Sequence, residues 1–200
     1  MYEPYSPINT SMVFAGVIGF IGLMVLIQVI VTYNRLVNLR NTISESWSNV
    51  DTELRRRHDL IPNLVEAVKG YAAHEREVFE TVAQARSKAM GSLENLSQLP
   101  QNENELVRSV RQLLAVAEAY PELKASQNFL QLQEELVNTE DRIQAARRFY
   151  NGNIREYNTL VQSFPSSIIA GLFGFETRQF FEIEDLVARA VASVVFQPNP

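Results

Sequence analysis

Apolar and polar positions follow three regimes along this chain. From Met12 to Val31 (MVFAGVIGFIGLMVLIQVIV) the side chains are almost uniformly apolar: thirteen of the 20 residues are Val, Ile, Leu or Phe, none is charged, and Gln28 is the one strongly polar group. From Tyr33 to about Gln162, apolar residues recur in steps of three, four and seven, the spacing of one helix face. After Ser163 that rhythm fails: Phe164, Ile168, Ile169, Leu172, Phe173, Phe175, Phe180 and Phe181 crowd one short segment with Gly171 and Gly174.

The uniform stretch predicts a transmembrane helix. At about 1.5 Å per residue its length is roughly 30 Å, the thickness of a bilayer's hydrocarbon core. Lipid offers no partner to an open backbone, so a helix is the form it takes. A buried helix of a soluble core seldom goes so far without a charge. A cleaved signal peptide needs a basic leader, yet residues 1–11 contain no Lys or Arg and one acid, Glu3. Without cysteine, no lipid attaches through one. The stretch therefore reads as an uncleaved anchor. Arg35 and Arg40 follow it and no basic residue precedes it; the positive-inside rule then puts the N-terminus outside and the large domain in the cytoplasm.

Between Gly22 and Pro62 there is neither Gly nor Pro, so the anchor is expected to continue unbroken into the first bundle helix. Its stripe is Leu36, Leu39 or Ile43, Trp47, Val50, Leu54 and Ile61. Pro62 predicts a kink or short break near residues 57–63. A second helix follows to about Leu96, with Leu64, Val68, Tyr71, Val78, Val82, Ala85 and Ala89 inward. Residues 91–104, with Pro100, read as a loop, and Asn102 as the N-cap of a third helix, Glu103 to Ala119. A fourth runs from about Pro121 to Gln162 on Phe129, Leu132, Leu136, Ile143, Ala146, Tyr150, Ile154, Tyr157 and Val161. No segment before Ser163 reads as a strand. The fold class is all-α, an N-terminal transmembrane helix continuing into an antiparallel long-helix bundle. The domains are a tail over 1–11, the membrane helix over 12–32, the bundle over 33–163, and a Phe-rich tail over 164–200 with a short helix in FEIEDLVARAVASVVF.

Composition narrows the function. A net charge of -5 argues against general nucleic-acid binding, which needs a basic surface. The absence of cysteine removes disulfides and thiolate chemistry. No GxxxxGK phosphate loop or GxSxG elbow occurs. His74 and Glu75 begin like a zincin motif, but Val78 stands where its second histidine belongs. Only His58 and His74 are present, and Arg55 and Tyr71 precede them by three, so the paired Glu-x-x-His of a di-iron bundle is missing. A carboxylate-only metal site stays open. The basic clusters Arg55, Arg56, Arg57 and Arg147, Arg148 read as solvated arginines paired with nearby acids, or as a surface for an acidic partner.

Three stretches, YNRLVNLRNTISESWSNVDTELRRRHDLIPNLVEAVKGYAAHE, LLAVAEAYPELKASQNFLQLQEELVNTEDRIQAARRFYN and YNTLVQSFPSSIIAGLFGFETRQFFE, resemble the signature of the LemA family in order, from about Tyr33 to Glu184. The resemblance implies a bacterial envelope protein with one N-terminal transmembrane helix and a helical bundle. One branch is associated with magnetosome membranes, which points to membrane organisation. No catalytic residues carry over.

The expected function is a non-enzymatic, membrane-anchored helical scaffold in the bacterial inner membrane, without cofactor, that self-associates and organises the membrane or partner proteins. The alternative is a signalling or protease-linked adaptor that reads a partner through its bundle. Trp47, Pro62, Tyr150 and Tyr157 are the expected structural core. Asn34, Asp59, Asn63, Arg142, Asn151 and Asn158 are a candidate buried polar network. Ala15 and Gly19, four apart, are candidates for helix packing in the membrane. Phe173, Phe175, Phe180 and Phe181 form a candidate interaction tail, with folding back onto the bundle as the other reading.

Overall fold

The structure is a computed structural model and describes residues 10–186. It is all-α: among the described residues there are six helices and no strand, namely α1 (Thr10–Lys69), α2 (Arg76–Gly91), α3 (Leu99–Glu118), α4 (Pro121–Lys124), α5 (Gln127–Gln162) and α6 (Ser166–Leu172). The described residues divide into two compact units, 10–42 with 153–178, and 43–152 with 179–186.

In the second unit, α1 presents Ile43, Val50, Leu54, Ile61, Leu64 and Val68, all buried, in steps of seven, four and three. Around Ile61, Leu64 and Val68, residues from α2 (Val82, Ala85, Ala89), α3 (Leu106, Val110, Leu113), α4 (Leu123) and α5 (Phe129, Leu136) close one core. The α2 alanines keep that helix close to its neighbours. Here α1 and α5 are antiparallel: Trp47 meets Tyr150, and ten residues further along α1 Arg57 meets Glu140.

Helix α1 passes through Pro62 without the expected break. Proline lacks the N–H that would bond the carbonyl four residues earlier, here that of His58. Arg86 of α2 supplies the missing donor: its Nε donates to His58 O at 2.6 Å. The break falls instead inside the expected second helix. Gly70, whose helix propensity is about 1 kcal/mol below that of alanine, follows the end of α1. The Tyr71 and Ala72 N–H groups both donate to Val68 O, at 3.0 and 2.9 Å, and the chain turns before α2 begins at Arg76.

One other boundary moves because a proline opens a helix, and the fourth helix begins at Pro121 as expected but is interrupted after one turn. Helix α3 starts at Leu99, with Pro100 in its first turn and Gln98 as N-cap, so Asn102 is no cap. A proline in the first turn lacks only an N–H that would have had no helical partner. Pro121 opens the single turn α4, whose Leu123 is fully buried, and the long helix restarts at Gln127.

In the first unit, the apolar stretch of α1 has no buried residue across a window of mean hydropathy 2.6. By length and composition it can cross a membrane, and its exposure separates it from a soluble core helix. Beyond it, Leu36 packs at 0% exposure, as Ile154 and Tyr157 of α5 are buried in the same unit. The segment after Ser163, expected to be irregular, contains helix α6. It closes on Gly174 at φ +69°, the left-handed region that favours glycine, with Phe175 N–H donating to Ala170 O at 2.9 Å and Phe173 N–H to Ile169 O at 3.1 Å. The short helix expected in 181–196 is not seen over 181–186, and its remainder lies outside the described residues.

A double-mutant cycle checks the Pro62 account. Arg86→Met should cost about 1–3 kcal/mol by orphaning a carbonyl. In a Pro62→Ala background, where the backbone regains an N–H that can serve His58 O, that cost should shrink. Denaturant unfolding of the full chain in mild detergent measures both; equal costs in the two backgrounds would refute the pairing.

Candidate functional site

The densest polar feature is a charged cluster in the second unit. Position 57 lies between Leu54 and Ile61 on the inward stripe of α1, Glu103 between Leu99 and Leu106 on α3, and Glu140 between Leu136 and Ile143 on α5. Helical spacing therefore turns all three charges into the core. Arg57 Nη1 donates to Glu140 Oε1 at 2.9 Å and Oε2 at 3.2 Å, and its Nη2 to Glu103 Oε2. His58 Nε2 lies 2.9 Å from Glu103 Oε1. None of the four residues is more than 1% exposed.

One guanidinium thus ties α1 to both α3 and α5. Its planar fork can serve two carboxylates at once, which a lysine's point charge does not do. Arginine, glutamate and glutamate together carry one net negative charge, and His58 Nε2 shares a hydrogen bond with one of the two carboxylates. Burial alone would push the Glu103 carboxyl up, but the hydrogen bond with His58 and the charge of Arg57 outweigh it and hold Glu103 below the ordinary 4.5. For Arg57, burial works against the charge, and the two carboxylates more than reverse it, so its pKa is raised. Arg57 Nε and His58 Nδ1 have no hydrogen-bond partner. Among the described residues no group of three or more His, Cys, Asp or Glu is placed to hold a metal ion; between Glu103 and Glu140 the cation is Arg57 itself. The cluster reaches no surface, and it joins α1 to α3 and to α5.

A second polar array holds residues 179–186 against α3 and α5. From α5, Asn151 makes a two-way clamp on Phe181: its Nδ2 donates to Phe181 O and its Oδ1 accepts from Phe181 N, both at 2.9 Å. Arg147 donates to Ile183 O and Gln144 to Asp185 Oδ2, each at 2.5 Å. From α3, Asn104 Oδ1 accepts from Glu184 N at 2.6 Å, Arg108 pairs with Glu184 at 2.5 Å, and Arg111 donates to the Asp185 and Leu186 carbonyls. Residues 144, 147 and 151 on α5, like 104, 108 and 111 on α3, follow helical steps of three and four. Each set is one face of its helix. In the first unit Asn158 clamps Arg178 in the same manner, with both bonds at 2.8 Å.

The residues singled out from sequence disperse. Tyr150 and Tyr157 are buried, and Trp47 is half-buried, its ring 5.3 Å from Tyr150 and 5.2 Å from Phe181. Pro62 is exposed and belongs to no core. Asn34, Asp59, Asn63 and Arg142 are exposed as well and form no buried network; Asn151 and Asn158, half-buried, hold the tail's backbone instead. Phe175 and Phe181 pack inward, whereas Phe173 and Phe180 are 52% and 45% exposed. Ala15 and Gly19 lie on the exposed apolar part of α1. Of the arginines read as solvated, Arg57 is buried and Arg147 binds the tail. The signal for Arg57 was present in its position three residues after Leu54 and four before Ile61.

Two open grooves mark the second unit. One of about 470 Å³ lies between α2 and α3, lined by Glu77, Val78, Thr81, Gln112, Ala115 and Val116. The other, about 250 Å³, is lined by Arg56, Leu60, Glu135, Asn138, Thr139 and Arg142.

The model of the LemA family matches residues 46–196. The chain is 23% identical over 203 residues to magnetosome protein MamQ 2 of Paramagnetospirillum magneticum, covering 88% of this chain and 73% of that protein. It is 28% identical over 155 residues to protein LemA of Metamycoplasma hominis, covering 76% and 70%. Magnetosome protein MamQ of Magnetospirillum gryphiswaldense is 24% identical over 174 residues, covering 74% and 64%.

Arg57→Met should destabilise the chain by about 3–5 kcal/mol, because two carboxylates are left buried without a cation. Replacing Arg57, Glu103 and Glu140 together by Leu should cost less than that single change, and a larger cost would refute the charge account. Acid should act through Glu103. Its carboxyl is held below 4.5 in the folded chain, so the unfolded chain takes up the proton first. Its contribution is complete above about pH 5 and fades as pH falls through the lower folded value. Thermal melts from neutral to acid pH should show a loss whose slope is reduced by Glu103→Gln.

Proposed function

Because the chain belongs to the LemA family, we propose that it is a membrane-anchored helical scaffold that self-associates and organises a membrane or the proteins in it. The carrying observation is that α1 joins an exposed apolar stretch, long enough to cross a bilayer, to a bundle helix without interruption. A helix of that kind ties the bundle directly to the membrane. The sealed Arg57 cluster supports a structural role, since no substrate reaches its carboxylates. Three of the relatives are named as magnetosome proteins, which fits action at a membrane compartment. In this reading the protein sits in a bacterial inner membrane, with its N-terminus outside and the bundle in the cytoplasm, on the side of Arg35 and Arg40. Ala15 and Gly19 supply a small-residue seam along which two copies of α1 approach closely.

The groove between α2 and α3 favours a second reading, an adaptor whose bundle grips a partner. Crosslinking of the full chain in native membranes separates the two. A scaffold gives a ladder of oligomers that Ala15→Leu with Gly19→Leu shortens. A monomer at every concentration would overturn the scaffold. A reporter that matures only in the cytoplasm, fused to the C-terminus, should be active; a silent reporter would invert the orientation.

A further inference from the structure

We propose that α6 is a second membrane contact, with its outer apolar face lying in the headgroup region of the bilayer that α1 crosses. This rests on the anchor reading of α1. Helix α6 has two faces. Ser166, Ile169 and Ala170 are buried, and Ser166 Oγ donates to the carbonyls of Leu160 (2.6 Å) and Ser163 (2.8 Å), so the inner face is fixed in the first unit. The outer face carries Ile168 at 56% and Leu172 at 76% exposure, four residues apart, flanked by Phe164 at 82% and Phe173 at 52%. These four side chains are held in place and left uncovered, with no charge among them.

Their level relative to the membrane follows from a contact inside the same unit. The apolar stretch of α1 ends at Val31, and Tyr33 follows two residues later. At about 1.5 Å of rise per residue, Tyr33 lies roughly 3 Å beyond the apolar end. The Phe173 ring packs on Tyr33 with centroids 4.9 Å apart, edge-to-face, and Phe175 does so at 5.7 Å. Phe173, which caps α6, is therefore within about 8 Å of the plane where the hydrocarbon ends, comparable with the thickness of one headgroup layer. Tyrosine at that depth is the residue of an aromatic belt. Lipid is thus the occupant that the patch meets without any partner being supplied, and an apolar helix face at this level is buried about 5–10 Å into the headgroup boundary. The role that follows is mechanical. A transmembrane helix alone is free to rotate and tilt; a second contact beside it sets the azimuth and height of the protein on the membrane.

The chain contains no cysteine, so single nitroxide labels are introduced without background. Full-length Ile168→Cys and Leu172→Cys, reconstituted in phosphatidylcholine vesicles, are compared with Val25→Cys in the anchor and Ser87→Cys at an exposed position of α2. Accessibility to oxygen and to a water-soluble nickel complex is read by power saturation. The inference expects labels at 168 and 172 to show an oxygen-to-nickel ratio several-fold above that at 87 and below that at 25. A ratio at 168 and 172 equal to that at 87, with 25 still in hydrocarbon, overturns the inference and leaves the anchor standing. Exclusion of both reagents with spin–spin broadening at 172 places a second copy on the patch and also overturns it. If the label at 25 behaves like that at 87, the anchor reading fails and the inference with it.

Discussion

A guanidinium buried between two carboxylates sets the interior of this bundle. Arg57 reaches Glu103 on α3 and Glu140 on α5 from α1, so three helices share one charge. In a low-dielectric interior each of these groups is costly alone and tolerable only together. A helix that slid by one residue would rotate its charge by about 100° out of the cluster and strand the other two. Apolar stripes of Leu, Ile and Val tolerate such slips more easily, because one methyl packs much like another. The cluster thus adds specificity to a core whose stability comes from apolar burial.

The same economy of polar groups recurs where the chain is not helical. Among the described residues no strand neighbours 179–186 to satisfy their backbone. Asn, Gln and Arg side chains on α3 and α5 take that part, and Asn151 imitates a strand by donating to and accepting from one residue, Phe181. Arg86 does likewise for the carbonyl that Pro62 leaves open in α1. In each case a buried or half-buried backbone group finds its partner in a side chain from another helix. Such side-chain donors and acceptors serve a proline within a long helix and the non-helical backbone of residues 179–186.

Apolar surface along α1 is divided as well. In the second unit Ile43, Val50, Leu54, Ile61, Leu64 and Val68 are almost fully buried along α1, while its stretch from Met12 to Val31 is bare. A soluble environment would penalise that surface at about 25 cal/mol per Å²; a bilayer does not. The outer face of α6 belongs to this second class, and its aromatic contact with Tyr33 places it at the end of the bare stretch.

Much of this was determined by local sequence. Twenty uncharged residues, all but Gln28 apolar or small, specify a helix long and apolar enough to cross a membrane, and the absence of Gly and Pro from 23 to 61 specifies its continuation. Periods of three, four and seven specify helices and the faces of Leu54, Leu106 and Leu136, because they depend only on the geometry of the backbone. Tertiary structure decided the rest. Whether Pro62 breaks α1 depended on Arg86, distant in sequence, arriving beside His58. Whether Arg57 is solvated or buried depended on Glu103 and Glu140 meeting it, since an arginine on an inward stripe is as ready to snorkel outward as to pair. Asn63 and Asn151 are the same residue type on amphipathic helices, yet only Asn151 found a backbone to clamp. Polar side chains take their roles from partners far along the chain, and periodicity carries no information about where those partners lie.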